Sequence, residues 1–455
     1  MTNNAAGNPP AVDLAHTPIH VDDLLANGQG VGRADGLVAF VTGALPGEMV
    51  RVAVDAVKQN YVSAHVVDIL ERSPDRVESA CPVFPQCGGC QTLHLRYEAQ
   101  LEWKRRMVAD ALTRLGGLTK VEVLPTVGAR LIDGTRYRNK VSLVPRLTAQ
   151  GGEIGFYAAR SHRVVPISHC PVLLPWLDDA VRPLVAIVEK TPSLLHGVRH
   201  IVARTGLARK TLVVAFSTGK RQPELAQHVD KLRKQVPGLT GLVESFDPSS
   251  ENAILGRRFT TLWGSPETIE RVGQANFHFG IASFFQINTA MLELIAEHLL
   301  ESLSNARRVV DLYCGVGTFA IMLGKRGVAV TGIESYREAV DEAAVNAAIN
   351  GVTTAAFERA AVVEAVSGNR GRTLLEGIDA AIVDPPRRGC EPAVLQALAG
   401  ARVPRVEYLS CNPATLARDA RLLVDAGYTL GTTIPFDMFP YTGHVEALTQ
   451  FTMRG

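Results

Sequence analysis

The chain has no run approaching the 18 or so apolar residues that span a bilayer. Its first residues, MTNNAAGNPPAVD, have neither the basic stretch nor the apolar stretch of a secretion leader. A membrane span and export are therefore set aside, a cytoplasmic location is expected, and residues 1–15 are expected to form a disordered tail. Aromatic residues are few, at 6%, beside 46% hydrophobic and 20% charged residues. That balance excludes wholesale disorder. Cysteine is scarce and odd in number, seven in 455 residues, which speaks against a disulfide scaffold. Cysteines that do cluster are better explained by metal binding or catalysis. At this length one hydrophobic core does not suffice, and two or three domains are expected.

Net charge is only +2, but it is unevenly spread. Between Arg96 and Arg163 there are 13 Lys and Arg against 6 Asp and Glu, a local balance of +7. A basic segment in a near-neutral chain suits a polyanion such as a nucleic acid, although a solvated charged face is the commoner meaning of such a run.

From His20 to Glu71 short apolar alternations are punctuated by Gly28, Gly30, Gly32 and Gly36, the pattern of a small β-barrel. Residues Leu93 to Leu115 carry Leu101, Met107, Val108, Leu112 and Leu115 near helical spacing. Val121 to Val272 mixes strands and short helices, as an α+β domain does. Beyond Phe284, strands and helices alternate strictly, which predicts βαβ units in a doubly wound, Rossmann-like α/β sheet. The expected organisation is a barrel over 16–73, a central domain over 74–275 and an α/β domain over 276–455. The helix over 93–120 is available to pack with the last.

Cys81, Cys87 and Cys90 fall in CPVFPQCGGC, a C-x5-C-x2-C spacing, and Cys170 in SHCPVL is a candidate fourth. Four thiolates suit either zinc or an iron–sulfur cluster, and spacing alone leaves both open.

In VVDLYCGVGTF, Gly315 and Gly317 allow a ligand to approach the backbone, and Glu334 closes the next strand, where an acid can bind ribose hydroxyls. Either S-adenosylmethionine or NAD fits such a loop. The later motifs are not those of hydride transfer, which favours S-adenosylmethionine. In IVDPPRRGC, Asp384 ends a strand ahead of two stiffening prolines, a turn able to hold a planar base edge. In YLSCNPATL, Cys411 precedes a rigid Asn-Pro turn at a helix start, which predicts a thiolate-favouring nucleophile position. Glu446, in DMFPYTGHVEALTQF, is a candidate general base on a final strand. Cys314 and Cys390 read as structural.

Taken together and in order, GxGxxxxDGLVAFVTGALPGE, CPVFPQCGGCQ, YRNKV, GFYAARSHRVVPISHCP, FFQIN, DLYCGVGTF, DPPRRG, SCNP and MFPYTGHVE resemble the RNA uracil-5 methyltransferase family. The likeness is to its iron–sulfur, TRAM-containing branch, which includes 23S rRNA enzymes. The resemblance implies a TRAM module, an OB-like RNA-binding barrel, at the N-terminus. It implies a [4Fe–4S] cluster on Cys81, Cys87, Cys90 and Cys170. Gln286, Tyr313, Gly315, Gly317, Thr318, Glu334 and Asp384 would surround S-adenosylmethionine, although the family often has Asn where Thr318 stands. Cys411 would be the nucleophile, Glu446 the base, Asp384 a further catalytic group, and Phe284 a stacking platform for a base. The implied reaction is methylation of C5 of a uridine, in 23S rRNA before tRNA, by a monomer. Amino-group methylation, a non-catalytic RNA-binding role and an NAD oxidoreductase are the alternatives.

Overall fold

The structure, a computed structural model, describes residues 18–129, 134–206, 208, 210–247 and 254–455; the tail expected over 1–15 lies outside them. Strands Ile19–Leu24, Gln29–Ala34, Leu37–Thr42, Met49–Val57 and Tyr61–Glu71 close into a five-stranded barrel. Alternation fills it: Ile19, Val21, Ala39, Val41, Val50, Val62 and Ala64 point inward and are fully buried. Gly32 packs against this wall so closely that a Cβ would lie 2.3 Å from the His20 carbonyl oxygen.

The helix expected over Leu93–Leu115 begins later, at Tyr97, and runs to Asp110, followed by a π-helical turn over Ala111–Leu115. Residues before Tyr97 are drawn into the barrel and cysteine segments instead: the Val77 amide donates to the His94 carbonyl and the Arg96 amide to Asp75.

The central domain is a seven-stranded sheet. Strand Val198–Gly206 lies between Lys140–Thr148 and Thr211–Thr218, and helix Pro175–Glu189 packs on strands Gly151–Tyr157 and Val198–Gly206. A separate two-stranded ribbon, Glu267–Val272 with Ala275–Gly280, precedes the last domain.

The C-terminal sheet has eight strands. In spatial order they are Ala355–Arg359, Ala329–Glu334, Arg308–Leu312, Ala380–Val383, Arg405–Ser410, Glu446–Met453, Tyr428–Phe436 and the short Glu122–Val123. The first five are mutually parallel, and Glu446–Met453 runs antiparallel to Arg405–Ser410. Side chains divide by parity between two cores. Val309, Ala380, Ile382 and Leu448 join the helices Thr289–Ser302 and Thr318–Gly324 on one face. Val310, Leu312, Ala381 and Val383 join Pro392–Gly400, Pro413–Asp425 and the end of the Tyr97 helix on the other. Burial on both faces explains why these strands read as continuous apolar runs. The chain order reverses between Arg308–Leu312 and Ala380–Val383, and ligands of open α/β sheets bind at the carboxyl ends of strands at such a point. No helix among the described residues is long and apolar enough to cross a membrane.

Candidate active site

Four of the sequence-derived positions fall at one edge of this sheet because of strand direction alone. The glycine loop follows Leu312, Glu334 ends its strand, Asp384 follows Val383 and Cys411 follows Ser410, all at carboxyl ends of parallel strands. Glu446 comes to the same edge by the opposite route. It opens an antiparallel strand, and the Ser410–Ala447 pairing places Cys411 opposite Glu446 at the next step of the register.

The glycine loop is shaped for a ligand. Gly315 and Gly317 have φ of 53° and 81°, a left-handed region that costs glycine least. A Cβ on Gly317 would lie 2.9 Å from the Phe357 ring, whereas one on Gly315 would meet nothing within 4 Å. Glu334 is held rigidly, its carboxylate accepting from the amides of Gly315 (3.2 Å), Ser335 (2.6 Å) and Tyr336 (2.9 Å). Thr318 opens the helix Thr318–Gly324. Tyr313, at φ 67°, donates its hydroxyl to Glu391 at 3.0 Å, so its ring rather than its hydroxyl is left for a ligand. Gln286 lies in the segment before Asn288, which caps the helix Thr289–Ser302 through the Met291 amide. Two residues before Gln286, the Phe284 ring is 76% exposed.

Around Cys411 ionisable groups crowd together: Glu446 is buried, Asp384 and Cys411 are half-buried, and Arg387 and His444 are exposed. Burial pushes Asp384 up to about 7. Glu446, only 4% exposed, is raised well above its ordinary range by burial and by Asp384, with the Arg387 guanidinium partly opposing. Cys411 is pushed up to about 11, first by burial and then by Glu446 and Asp384. This corrects the expectation of a thiolate stabilised by the helix start. The Asn412 side chain caps that helix through the Ala414 amide, while burial first, and then the two carboxyl groups from neighbouring strands, favour the neutral thiol. Asn412 also donates to the Arg387 carbonyl at 3.1 Å, tying the Cys411 turn to the turn after Asp384.

Arg387 and His444 were missed from the sequence. Arg387 acts electrostatically on Cys411, Glu446 and His444 together, and burial lowers the His444 pKa. The only sequence signal was the paired arginines after the prolines. Asp311 is also fully buried near the glycine loop, its pKa raised well above normal by burial and by Asp384.

The four remaining candidate cysteines sit apart, in the central region. Cys81, Cys87, Cys90 and Cys170 are free thiols that line one cavity of about 330 Å³, together with Phe84, Arg138 and Lys140. Cys90 is pushed up to about 12 by burial and by Cys170, and Cys170 up to about 11, chiefly by burial. Gly88 lets the loop close: its amide donates to the Tyr157 carbonyl at 2.9 Å, where a Cβ would clash. Among the described residues no group of three or more Cys, His, Asp or Glu is arranged to hold a single metal ion.

Comparison with known proteins bears on these features. Residues 268–452 match the model of the tRNA (uracil-5-)-methyltransferase family, and residues 17–67 match that of the TRAM domain. An uncharacterized RNA methyltransferase of Halalkalibacterium halodurans is 36% identical, with 96% of each chain covered. Another, from Clostridium acetobutylicum, is 32% identical over 94% of this chain and 95% of its own. Among solved structures, the Pyrococcus abyssi tRNA (uracil-54, C5)-methyltransferase in complex with S-adenosyl-L-homocysteine superposes with a TM-score of 0.75. It is 29% identical and covers 96% of this chain and 100% of its own.

Proposed function

This chain belongs to the TRAM-containing RNA uracil-5-methyltransferase family, whose chemistry depends on S-adenosylmethionine, and on that premise we propose that it methylates C5 of a uridine in 23S rRNA. The observation that carries the uracil chemistry is the placement of Cys411 opposite Glu446, with Asp384 beside them, at the edge that also bears the glycine loop. The choice of 23S rRNA rests on the resemblance to the TRAM-containing, iron–sulfur branch. A tRNA substrate is the second reading, favoured by the Pyrococcus abyssi neighbour and by the name of the matching family.

Uracil C5 is a weak nucleophile and must first be made electron-rich. The Cys411 thiol gives its proton to solvent, and the thiolate sulfur adds to C6. The resulting enolate would attack through C5 the methyl group of S-adenosylmethionine, whose methyl–sulfur bond breaks to leave S-adenosylhomocysteine. Glu446 then takes the C5 proton, the C5–C6 double bond re-forms and the C6–S bond breaks, freeing Cys411. A raised pKa makes Glu446 the stronger base once it is ionised, and Arg387 favours that form. Asp384 lies where it can orient the base edge and offset charge during addition. Gln286, Tyr313, Gly315, Gly317, Thr318, Glu334 and Asp384 would surround the cofactor. Phe284 would stack on RNA, offsetting the few kcal/mol that unstacking the target base costs.

The cysteine cavity fits a [4Fe–4S] cluster better than a single ion. Among the described residues, four thiols line one space with no carboxylate in its walls, and Arg138 and Lys140 supply positive charge. Bound there, the cluster would join the 81–90 loop to the Cys170 segment as a structural cross-link.

The test uses 23S rRNA and tRNA transcripts carrying 5-fluorouracil, incubated with the protein and S-adenosylmethionine. Fluorine at C5 blocks the last step, so a denaturation-resistant adduct is expected with rRNA and not with Cys411→Ala. An adduct with tRNA alone would transfer the substrate to the second reading. Methylation of ordinary RNA without any adduct on the fluorinated form would remove Cys411 from the mechanism.

A further inference from the structure

The loop 437–445 leads directly into Glu446. It closes the hairpin between Tyr428–Phe436 and Glu446–Met453, and Phe436 is the cross-strand partner of Glu446. Asp437, the first residue of the loop, pairs with Lys104 at 2.5 Å, and both side chains are 0% exposed. Lys104 comes from the helix Tyr97–Asp110, far away in the chain, and donates a second bond to the Phe439 carbonyl at 3.0 Å. One turn earlier on that helix, Gln100 accepts from the Tyr441 amide at 2.5 Å. The Asp437 amide is itself engaged, donating to the Val127 carbonyl at 2.9 Å.

Removing an ammonium and a carboxylate from water is expensive, and an apolar pair of similar volume often holds two segments together at least as well. Stability alone is therefore a weak reason for this pair. Its place in the chain supplies a better one. A carboxylate pinned one residue beyond the cross-strand partner of Glu446 fixes the rotation of the hairpin end, and the bonds from Lys104 and Gln100 fix the next four residues. A directional, charged contact sets position in a way that interchangeable apolar packing does not.

We propose that Lys104 is a positioning residue for the proton removal that closes the reaction: through its buried pair with Asp437 it sets the loop that aims the Glu446 carboxylate at the C5 proton. This rests on the reading of Glu446 as the base. It concerns the last step only, after Cys411 has added and the methyl group has moved.

That restriction makes the proposal testable against a merely structural role. Three variants are compared in the full chain: Asp437→Asn, the double substitution Lys104→Met with Asp437→Leu, and Glu446→Gln as the reference for a lost base. Each is incubated with S-adenosylmethionine and either ordinary or 5-fluorouracil RNA. With Asp437→Asn, turnover on ordinary RNA should fall about 10- to 100-fold, the effect of a small misplacement. Covalent methylated adduct should accumulate on ordinary RNA, as with Glu446→Gln. Adduct formation on the fluorinated RNA, which needs no proton removal, should keep the wild-type rate.

The double variant restores a neutral, packed core and should fold, yet still accumulate adduct. Wild-type turnover in that variant would show that the pair does nothing but pack, and would overturn the proposal. Equal slowing of adduct formation on fluorinated RNA would overturn it too, by placing the effect before proton removal. If Glu446→Gln itself accumulated no adduct, the base assignment would fall and take the proposal with it. Accumulation in Glu446→Gln but not in Asp437→Asn would sink the proposal alone.

Discussion

Arg204 holds Phe285 by its main chain and by its ring at once. Its Nη2 donates to the Phe285 carbonyl at 2.9 Å, and the guanidinium carbon lies 5.9 Å from the centre of the Phe285 ring. The other terminal nitrogen donates to the Ser283 carbonyl at 2.7 Å, so the two bonds bracket the exposed Phe284. Asn139 continues the clamp, with its amide on the Ile287 carbonyl and its side chain on the Gln286 carbonyl. The central sheet thus sets the segment expected to meet both RNA and cofactor.

Arg204→Met leaves both carbonyls without their donor in a buried place. Stability should fall by roughly 2–4 kcal/mol, read by denaturant unfolding. RNA affinity should fall as well, and adding Phe284→Ala should weaken it no further, because the ring has already lost its place. Fully additive losses in a double-mutant cycle would separate Arg204 from Phe284.

Asp384 predicts a trade between stability and function. Its pKa of about 7 is raised by burial, so the folded protein binds the proton more tightly than the unfolded chain does. The destabilisation from ionising it is absent below the ordinary carboxylate range near 4, grows as pH rises, and levels off above about 7. Asp384→Asn should therefore stabilise the protein at pH 8, by on the order of 1–3 kcal/mol, and make no difference near pH 3.5. Methyl transfer should fall sharply at the same time. Thermal unfolding across that pH range checks the sign, and a gain that grew towards low pH would contradict it.

The fold was largely legible and the site only in part. Strict strand and helix alternation after Phe284 is visible because the central parallel strands are apolar on both faces, as in Ala380–Val383, whereas the edge strand Ala355–Arg359, AAFER, is partly exposed and carries no such run. The barrel showed in its period-two runs and glycines. Strand Glu122–Val123 was invisible, since two residues carry no periodicity, and it joins the C-terminal sheet only through pairing with Thr432 and Thr433. Cys411 and Glu446 could each be chosen from local chemistry, but their juxtaposition is a property of antiparallel register. The thiol's raised pKa is hidden for a related reason: the helix start is local in sequence, whereas the burial of Cys411 and the approach of Asp384 and Glu446 come from the tertiary fold. Nothing local marked the pairing of Lys104 with Asp437, an ordinary helix lysine and an aspartate at a strand end.

The cysteine cavity gives a prediction that separates scaffold from chemistry. Tyr441 sits in a hydrophobic cluster with Leu93, Tyr97, Tyr137 and Val172, against which Cys81, Cys90 and Cys170 pack. Its carbonyl accepts from the amides of Gln91, at 2.8 Å, and Thr92, at 3.2 Å, immediately after Cys90. The glycine loop instead packs into the cores of the C-terminal sheet through Val316 and Tyr313, and Glu334 is held by the amides of Gly315, Ser335 and Tyr336. Protein purified without iron, or carrying Cys90→Ser, should therefore bind S-adenosylmethionine with unchanged affinity in calorimetry. It should lose RNA affinity at least tenfold, about 1.4 kcal/mol or more, and become more sensitive to proteolysis in the central domain. Unchanged RNA binding in an iron-free protein would defeat the scaffold role. Lost S-adenosylmethionine binding would mean that the cysteine loop supports the whole chain rather than the RNA-facing half.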